Sequence, residues 1–144
     1  VLKRYAEGFT LLEVLVVVVI LGVLAALVAP RFIGRAEDAK VTEAKVQIRN
    51  LETALKLFKL DNGFYPSTEQ GLEALVAKPA TGREPTGYRS GGYLEQSRVP
   101  LDPWGTSFIY VSPGLHGDFD ILSLGGDGME GGEETNADIQ NWAL

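Results

Sequence analysis

Two stretches of the chain carry side chains in patterns that could do chemistry. The first is "GGDGMEGGEETNAD", Gly125 to Asp138, with five glycines and the carboxylates of Asp127, Glu130, Glu133, Glu134 and Asp138. Glycines let a backbone turn sharply and present its carbonyls. Carbonyl and carboxylate oxygens together suit calcium, which takes roughly six to eight hard oxygens in flexible geometry. The stretch is not an EF-hand. Asp127, Gly132 and Asp138 fall where such a loop has its first, sixth and twelfth residues, but Met129 and Gly131 stand where side-chain ligands are needed. A solvated acidic loop is the alternative. The second stretch is "GFTLLEVLVVVVILGVLAALVAP", Gly8 to Pro30, which places one carboxylate, Glu13, inside an otherwise apolar run.

Enzymatic chemistry finds little support. The chain has no cysteine, one histidine (His116) and no recognisable nucleophile–base pair, and no glycine-rich loop ends in the lysine that cradles a nucleotide phosphate. His116 reads as a loop hydrogen-bonder. Charge is segregated along the chain. All 13 Lys and Arg lie at or before Arg98, where they face 11 acids, whereas residues 99–144 hold 8 acids and no Lys or Arg. Such an end repels nucleic acid and anionic lipid.

The elements around these residues follow from periodicity. Phe9 to Ala29 spans 21 residues, about 31 Å as a helix and close to the hydrocarbon thickness of a bilayer. Fifteen of the 21 are Phe, Leu, Ile or Val. They favour membrane insertion by about 5–9 kcal/mol, against a cost of up to ~3 kcal/mol for Glu13. The run is too long for an ordinary signal-peptide core, and the rest of the chain is too small to bury it. A plain anchor would leave Glu13 idle, and no Lys or Arg follows within the segment, so the carboxylate is expected to find a cationic partner from elsewhere. Lys3 and Arg4 before the run and Arg31 and Arg35 after it leave the orientation open.

After Pro30 the pattern becomes amphipathic. Val41, Ala44, Ile48, Leu51, Leu55 and Phe58 form one stripe at helical spacing. It spans fewer than three heptads, which favours packing on the chain's own domain over a coiled-coil seam. One helix is expected from about Thr10 to Leu60, bent near Pro30, which lacks an N–H. Asp61-Asn62-Gly63 should end it. Ser67 to Gln70 reads as a capping box opening a short helix through about Ala77. Tyr93-Leu94 reads as a short strand and "DPWG" (Asp102–Gly105) as a turn. Phe108–Val111 and Phe119–Ser123 read as paired strands. Trp104 and Trp142 are expected to be packing residues. The fold class is α+β: a long N-terminal helix, half transmembrane and half amphipathic, packed on a small antiparallel sheet.

"GFTLLE" followed by the apolar run resembles the N-terminus of type IV pilins and type II secretion pseudopilins. "LDNGFYPSTEQGLEALV" (Leu60–Val76), "PLDPWG" (Pro100–Gly105) and "GDFDILSLGGDG" (Gly117–Gly128) extend the likeness, over nearly the whole chain, to the major pseudopilins of type II secretion. The resemblance implies three parts: a prepilin leader at 1–8, a transmembrane and fibre-core helix at 9–30 and a periplasmic globular domain at 31–144. It also implies that a prepilin peptidase cuts after Gly8 and that Phe9 is then N-methylated. Glu13 would meet the new ammonium of a neighbouring subunit, and Pro30 would bend the helix. Residue 1 is Val rather than Met, and the leader is expected to be still attached.

By the same resemblance the C-terminal loop binds calcium, through the carboxylates of Asp127 and Asp138 and the carbonyls of Leu124 and Met129. Ala137 stands where the family has a further carboxylate, so the remaining ligands between Gly131 and Asp138 stay open. The implied role is a structural subunit, single-pass in the bacterial inner membrane, that polymerises into a pseudopilus and supports export of folded proteins. Its implied partners are further copies, minor pseudopilins, the inner-membrane assembly platform with its ATPase, and the outer-membrane secretin, with no nucleic acid. A type IV pilin for adhesion or DNA uptake is the alternative, and a membrane-anchored envelope enzyme a more distant one.

Overall fold

The computed structural model describes residues 8–144, with backbone alone for 29–33. Residues 1–7 of the expected leader lie outside the described residues, as does the side chain of Pro30. The chain divides after Ala36 into two units. In the first, helix α1 (Leu11–Asn62) begins, and its backbone is helical through position 30. None of the residues Leu11–Val28 is buried.

In the second unit, Glu37–Leu144, the amphipathic stripe becomes the core. Ala44, Ile48, Leu51, Leu55 and Phe58 are essentially without solvent contact, Ala54 joins them, and Val41 packs at their edge. The expectation that the stripe packs on its own domain is met. Lys45, Arg49, Lys56 and Lys59 occupy outward-facing positions on the same helix. The helix closes at Gly63, whose φ of +81° sets the left-handed turn and whose N–H donates to Lys59 O at 2.7 Å. Asn62 fastens this end, donating to Phe58 O and to Tyr93 Oη, both at 2.9 Å.

Ser67 and Gln70 form the expected reciprocal box. Ser67 N–H donates to Gln70 Oε1 at 3.1 Å, and Gln70 N–H to Ser67 Oγ at 3.3 Å. The box opens onto a turn and a 3₁₀ helix at Leu72–Leu75, not onto the expected helix through Ala77. Gly71, with φ +62°, breaks the run, and Gln70 spends its amide on Thr81 O and Arg83 O, holding down the loop beyond. Tyr93-Leu94 is not a strand. Tyr93 N–H donates to Leu75 O in a single tie, while its ring packs on Phe58 and Tyr88.

The sheet has three antiparallel strands in the order β1 (Ile109–Val111), β2 (Asp120–Ser123), β3 (Ile139–Gln140). The β1–β2 pair matches expectation, with Tyr110 opposite Ile121. The third strand is new: Leu122 pairs with Gln140 and Ser123 with Ile139. Phe108, Tyr110, Phe119, Ile121 and Ile139 supply the buried side chains of the sheet and its flanks. Burial pushes the Tyr110 phenol up to about 12, and it remains a donor to Pro66 O at 2.8 Å.

If this stripe holds the domain together, Leu55→Ala should destabilise the protein by about 2–5 kcal/mol. Leu60→Ala, at a position 78% exposed, should stay within ~0.5 kcal/mol of the parent. Denaturant titration of the full chain in detergent, followed by circular dichroism, distinguishes the two.

Candidate functional site

Glu13 is not idle in its own helix. Its Oε2 accepts from Thr10 N–H and from Thr10 Oγ1, both at 2.9 Å, and Glu13 N–H donates back to Thr10 Oγ1 at 3.2 Å. This is a capping box at the start of α1. Thr10 carries no charge, so this local capping leaves the expected cationic partner from outside the segment untouched. Thr10 is a capping residue that the sequence reading misses, although Thr-x-x-Glu is the same kind of signal that marks Ser67–Gln70. Phe9 is 89% exposed beside the box, and Gly8 has open space around it.

The acidic loop is clamped at both ends by the sheet. β2 ends at Ser123 and β3 begins at Ile139, so residues 124–138 form one closed excursion between paired strands. Within it Met129 N–H donates to Asp127 Oδ1 at 3.0 Å, and Gly131 N–H to Asp138 Oδ2 at 3.0 Å. Asp138 N–H returns to Gly131 O at 3.1 Å. Asp138 Oδ1 is buried and has no hydrogen-bond partner, which leaves a carboxyl oxygen short of a donor or a cation. Asp127, Glu130, Glu133 and Glu134 are not buried. Among the described residues no three His, Cys, Asp or Glu side chains cluster closely enough to hold a metal by themselves. Any ion here would depend on backbone carbonyls such as those of Leu124 and Met129. The turns need glycine: Gly125 has φ +65°, and a β-carbon there would stand 2.7 Å from both Asn136 O and Ala137 O.

The "DPWG" turn lies against this loop. Buried Asp102 accepts from Trp104 N–H (3.1 Å), Thr106 N–H (2.7 Å) and, through its other oxygen, Ser123 Oγ (2.7 Å). Gly125 N–H donates to the same Ser123 hydroxyl at 3.4 Å. The Trp104 indole N–H donates to Glu37 Oε2 at 2.9 Å. That bond, with an ion pair to Lys40 at 2.9 Å, holds the Glu37 carboxyl below its ordinary range. The turn is legible in the sequence, but neither Asp102 as its hub nor Glu37 as its partner is.

His116 is a loop hydrogen-bonder, as expected. Its Nδ1 lies 3.0 Å from Asp120 Oδ2, and its ring stacks on Trp142 at 3.9 Å and 7°. Burial works against the Asp120 charge. The His116 ring and the N–H groups of Leu115 and His116 outweigh it and hold the carboxyl below the ordinary range.

A family model described as "Type II secretion system (T2SS), protein G" matches residues 31–142, and one described as "Prokaryotic N-terminal methylation motif" matches residues 3–29. The chain belongs to the type II secretion system protein G family. The core protein G of Vibrio cholerae serotype O1 is 56% identical over 141 residues, 98% of this chain and 94% of that one. That of Pseudomonas aeruginosa is 53% identical over 140 residues, 97% of each. The crystal structure of the major pseudopilin of enterohaemorrhagic Escherichia coli matches with a TM-score of 0.66 at 42% identity, covering 78% of this chain and 94% of that one. These protein G relatives and the long helix with a three-stranded sheet agree with the fold class expected from sequence.

Asp120 gives a pH signature. A carboxyl whose pKa is lowered on folding stabilises the fold above its unfolded value, near 3.9, and loses that contribution as pH falls through the lower folded value. Asp120→Asn should therefore be less stable than the parent at about pH 5, and the gap should close towards about pH 3. Urea titrations across that range measure it.

Proposed function

We propose that the chain is a membrane-anchored structural subunit that polymerises into the type II secretion pseudopilus. The observation that carries this reading is the joining of two features in one chain. A protein G domain spans residues 31–142, and ahead of it lies an apolar helical segment, Leu11–Val28, with no side chain buried in its own subunit. The segment is long enough to cross a bilayer. A family of structural subunits is the coarse conclusion. The finer one places the globular domain in the periplasm, on the far side of the inner membrane from the positively charged leader.

Processing follows from the methylation motif. Cleavage after Gly8 would free the Phe9 amine, which methylation would leave charged. Glu13 of an adjacent subunit would then pair with it in lipid, where opposite charges attract strongly and a lone charge is costly. That pairing sets the axial stagger between identical helices, and Pro30 would bend each helix. The other parties are minor pseudopilins, the prepilin peptidase, the assembly platform with its ATPase, and the outer-membrane secretin. The fibre would push folded cargo through that secretin. Nothing in the arrangement of His116, Asp120 and Trp142 calls for a catalytic role, since each is engaged in holding the hairpin loop.

Calcium is the proposed cofactor. Asp127 and Asp138 supply the carboxylates, and Leu124 and Met129 supply carbonyls. The unpartnered buried oxygen of Asp138 supports the fit. An ion there would close the loop between β2 and β3 and, by binding only the folded state, stabilise it.

Two outcomes test these roles. Glu13→Ala, co-expressed with the peptidase and assembly partners, should insert and be cleaved but yield few fibres when the envelope is imaged; parental fibre numbers would remove Glu13 from assembly. Asp127→Ala should lose the calcium-dependent rise in melting temperature, which for the parent should correspond to about 2.7 kcal/mol at a hundredfold excess over Kd.

A further inference from the structure

We propose that Trp104 and Glu37 are positioning residues for the acidic loop, and that they couple its ion occupancy to the point where the domain takes hold of the long helix. The inference rests on the reading of residues 124–138 as a calcium loop and deepens it. Three contacts form the route. The first is at the start of the loop, where Gly125 N–H donates to Ser123 Oγ, itself a donor to Asp102 at the base of the "DPWG" turn. The second is steric. A β-carbon at Gly126 would stand 2.8 Å from Asn136 Oδ1, 3.2 Å from Trp104 Nε1 and 3.3 Å from Thr135 O. The loop backbone thus sits between its own 3₁₀ turn at Glu134–Asn136 and the indole edge, with no slack for a side chain. The third is the bond from that same indole nitrogen to Glu37.

Glu37 stands on α1 ahead of Val41 and Ala44, where the helix begins to pack into the core, and its bond to Trp104 ties that stretch to the domain. Its other polar contact is Lys40, one turn along the same helix. A loop that opens moves Gly126 and Asn136 away from Trp104 and leaves the indole free to leave Glu37. A loop closed on an ion holds the indole edge in place. Trp104 is half-buried and packed against the core, so its ring has little room to follow the loop without breaking the bond. Coupling of this kind is reciprocal: whatever ion binding does for the Glu37 bond, that bond does for ion binding.

The test uses the full chain in detergent and calcium chloride. Affinity is read by isothermal titration, and deuterium uptake is read in the helix segment 37–44, with and without calcium. For the parent, calcium should slow exchange in that segment. Trp104→Phe keeps an aromatic ring and loses the N–H donor; Glu37→Ala loses the acceptor. Each should weaken calcium binding about fivefold, at the low end of known coupling strengths, and abolish the helix protection. The double variant should be no weaker than either single one, as two halves of one bond require. Lys40→Ala, which leaves the indole bond intact, should bind and protect as the parent does. If the parent binds calcium but Trp104→Phe and Glu37→Ala bind as tightly and protect the helix equally, the coupling is wrong while the calcium loop stands. If the parent shows neither binding nor protection, the calcium reading fails and this inference fails with it.

Discussion

From Leu11 to Val28 the helix presents leucine, isoleucine and valine side chains about half exposed or more, and nothing among the described residues buries them. Fully burying one such side chain is worth about 1.5–3 kcal/mol, so more than a dozen left half exposed forgo an amount comparable to the whole stability of a typical domain. The core of residues 37–144 is closed around Ala44 to Phe58 without them. The segment therefore needs lipid or copies of itself.

The domain is small, and its sheet is three short strands, so burial alone gives it little margin. Polar side chains with more than one partner make up part of the difference. Asp102 gathers two backbone N–H groups and one hydroxyl. Gln70 ties the turn after the long helix to the loop at residues 81–83. Asn141 accepts from Ile121 N–H at 2.8 Å and reaches towards Glu52 and Phe119 O at 3.4 Å, which docks the C-terminal turn on the sheet. Each satisfies a backbone group that would otherwise lack a partner.

What sequence could reveal was set by how local the physics is. The stripe from Val41 to Phe58 is a property of one helix, and its periodicity declares its buried face directly. The Gly63 stop and the β1–β2 pair are equally local. Strand β3 has only Ile139 and Gln140, too short for any alternation to register, and it exists because the acidic loop returns it beside β2. The helix expected after Ser67 is broken at Gly71, with φ +62°, and Gln70 bonds outward to Thr81 and Arg83, residues whose position no local pattern predicts. Glu37 and Trp104 are separated by 67 positions, and neither carries a mark of the other. Asp138 is singled out by resemblance; only the structure reveals that one of its oxygens lacks a partner. Thr10 is the exception, a local capping signal hidden by the apolar run beside it.

That capping signal bears on how a carboxylate can sit in lipid at all. With Thr10 giving Glu13 both its N–H and its hydroxyl, the charge has two donors and a place at the helix N-terminus, where a negative group is favoured. Such compensation lowers the cost of insertion before any second subunit is present. It engages only Oε2 among the described hydrogen bonds, so the other oxygen stays open to a cation. On the proposed reading, a neighbour's ammonium does not rescue a stranded charge. It adds to one already tolerated, and its energy is then available to select register between helices whose apolar surfaces would pack nearly as well at several staggers.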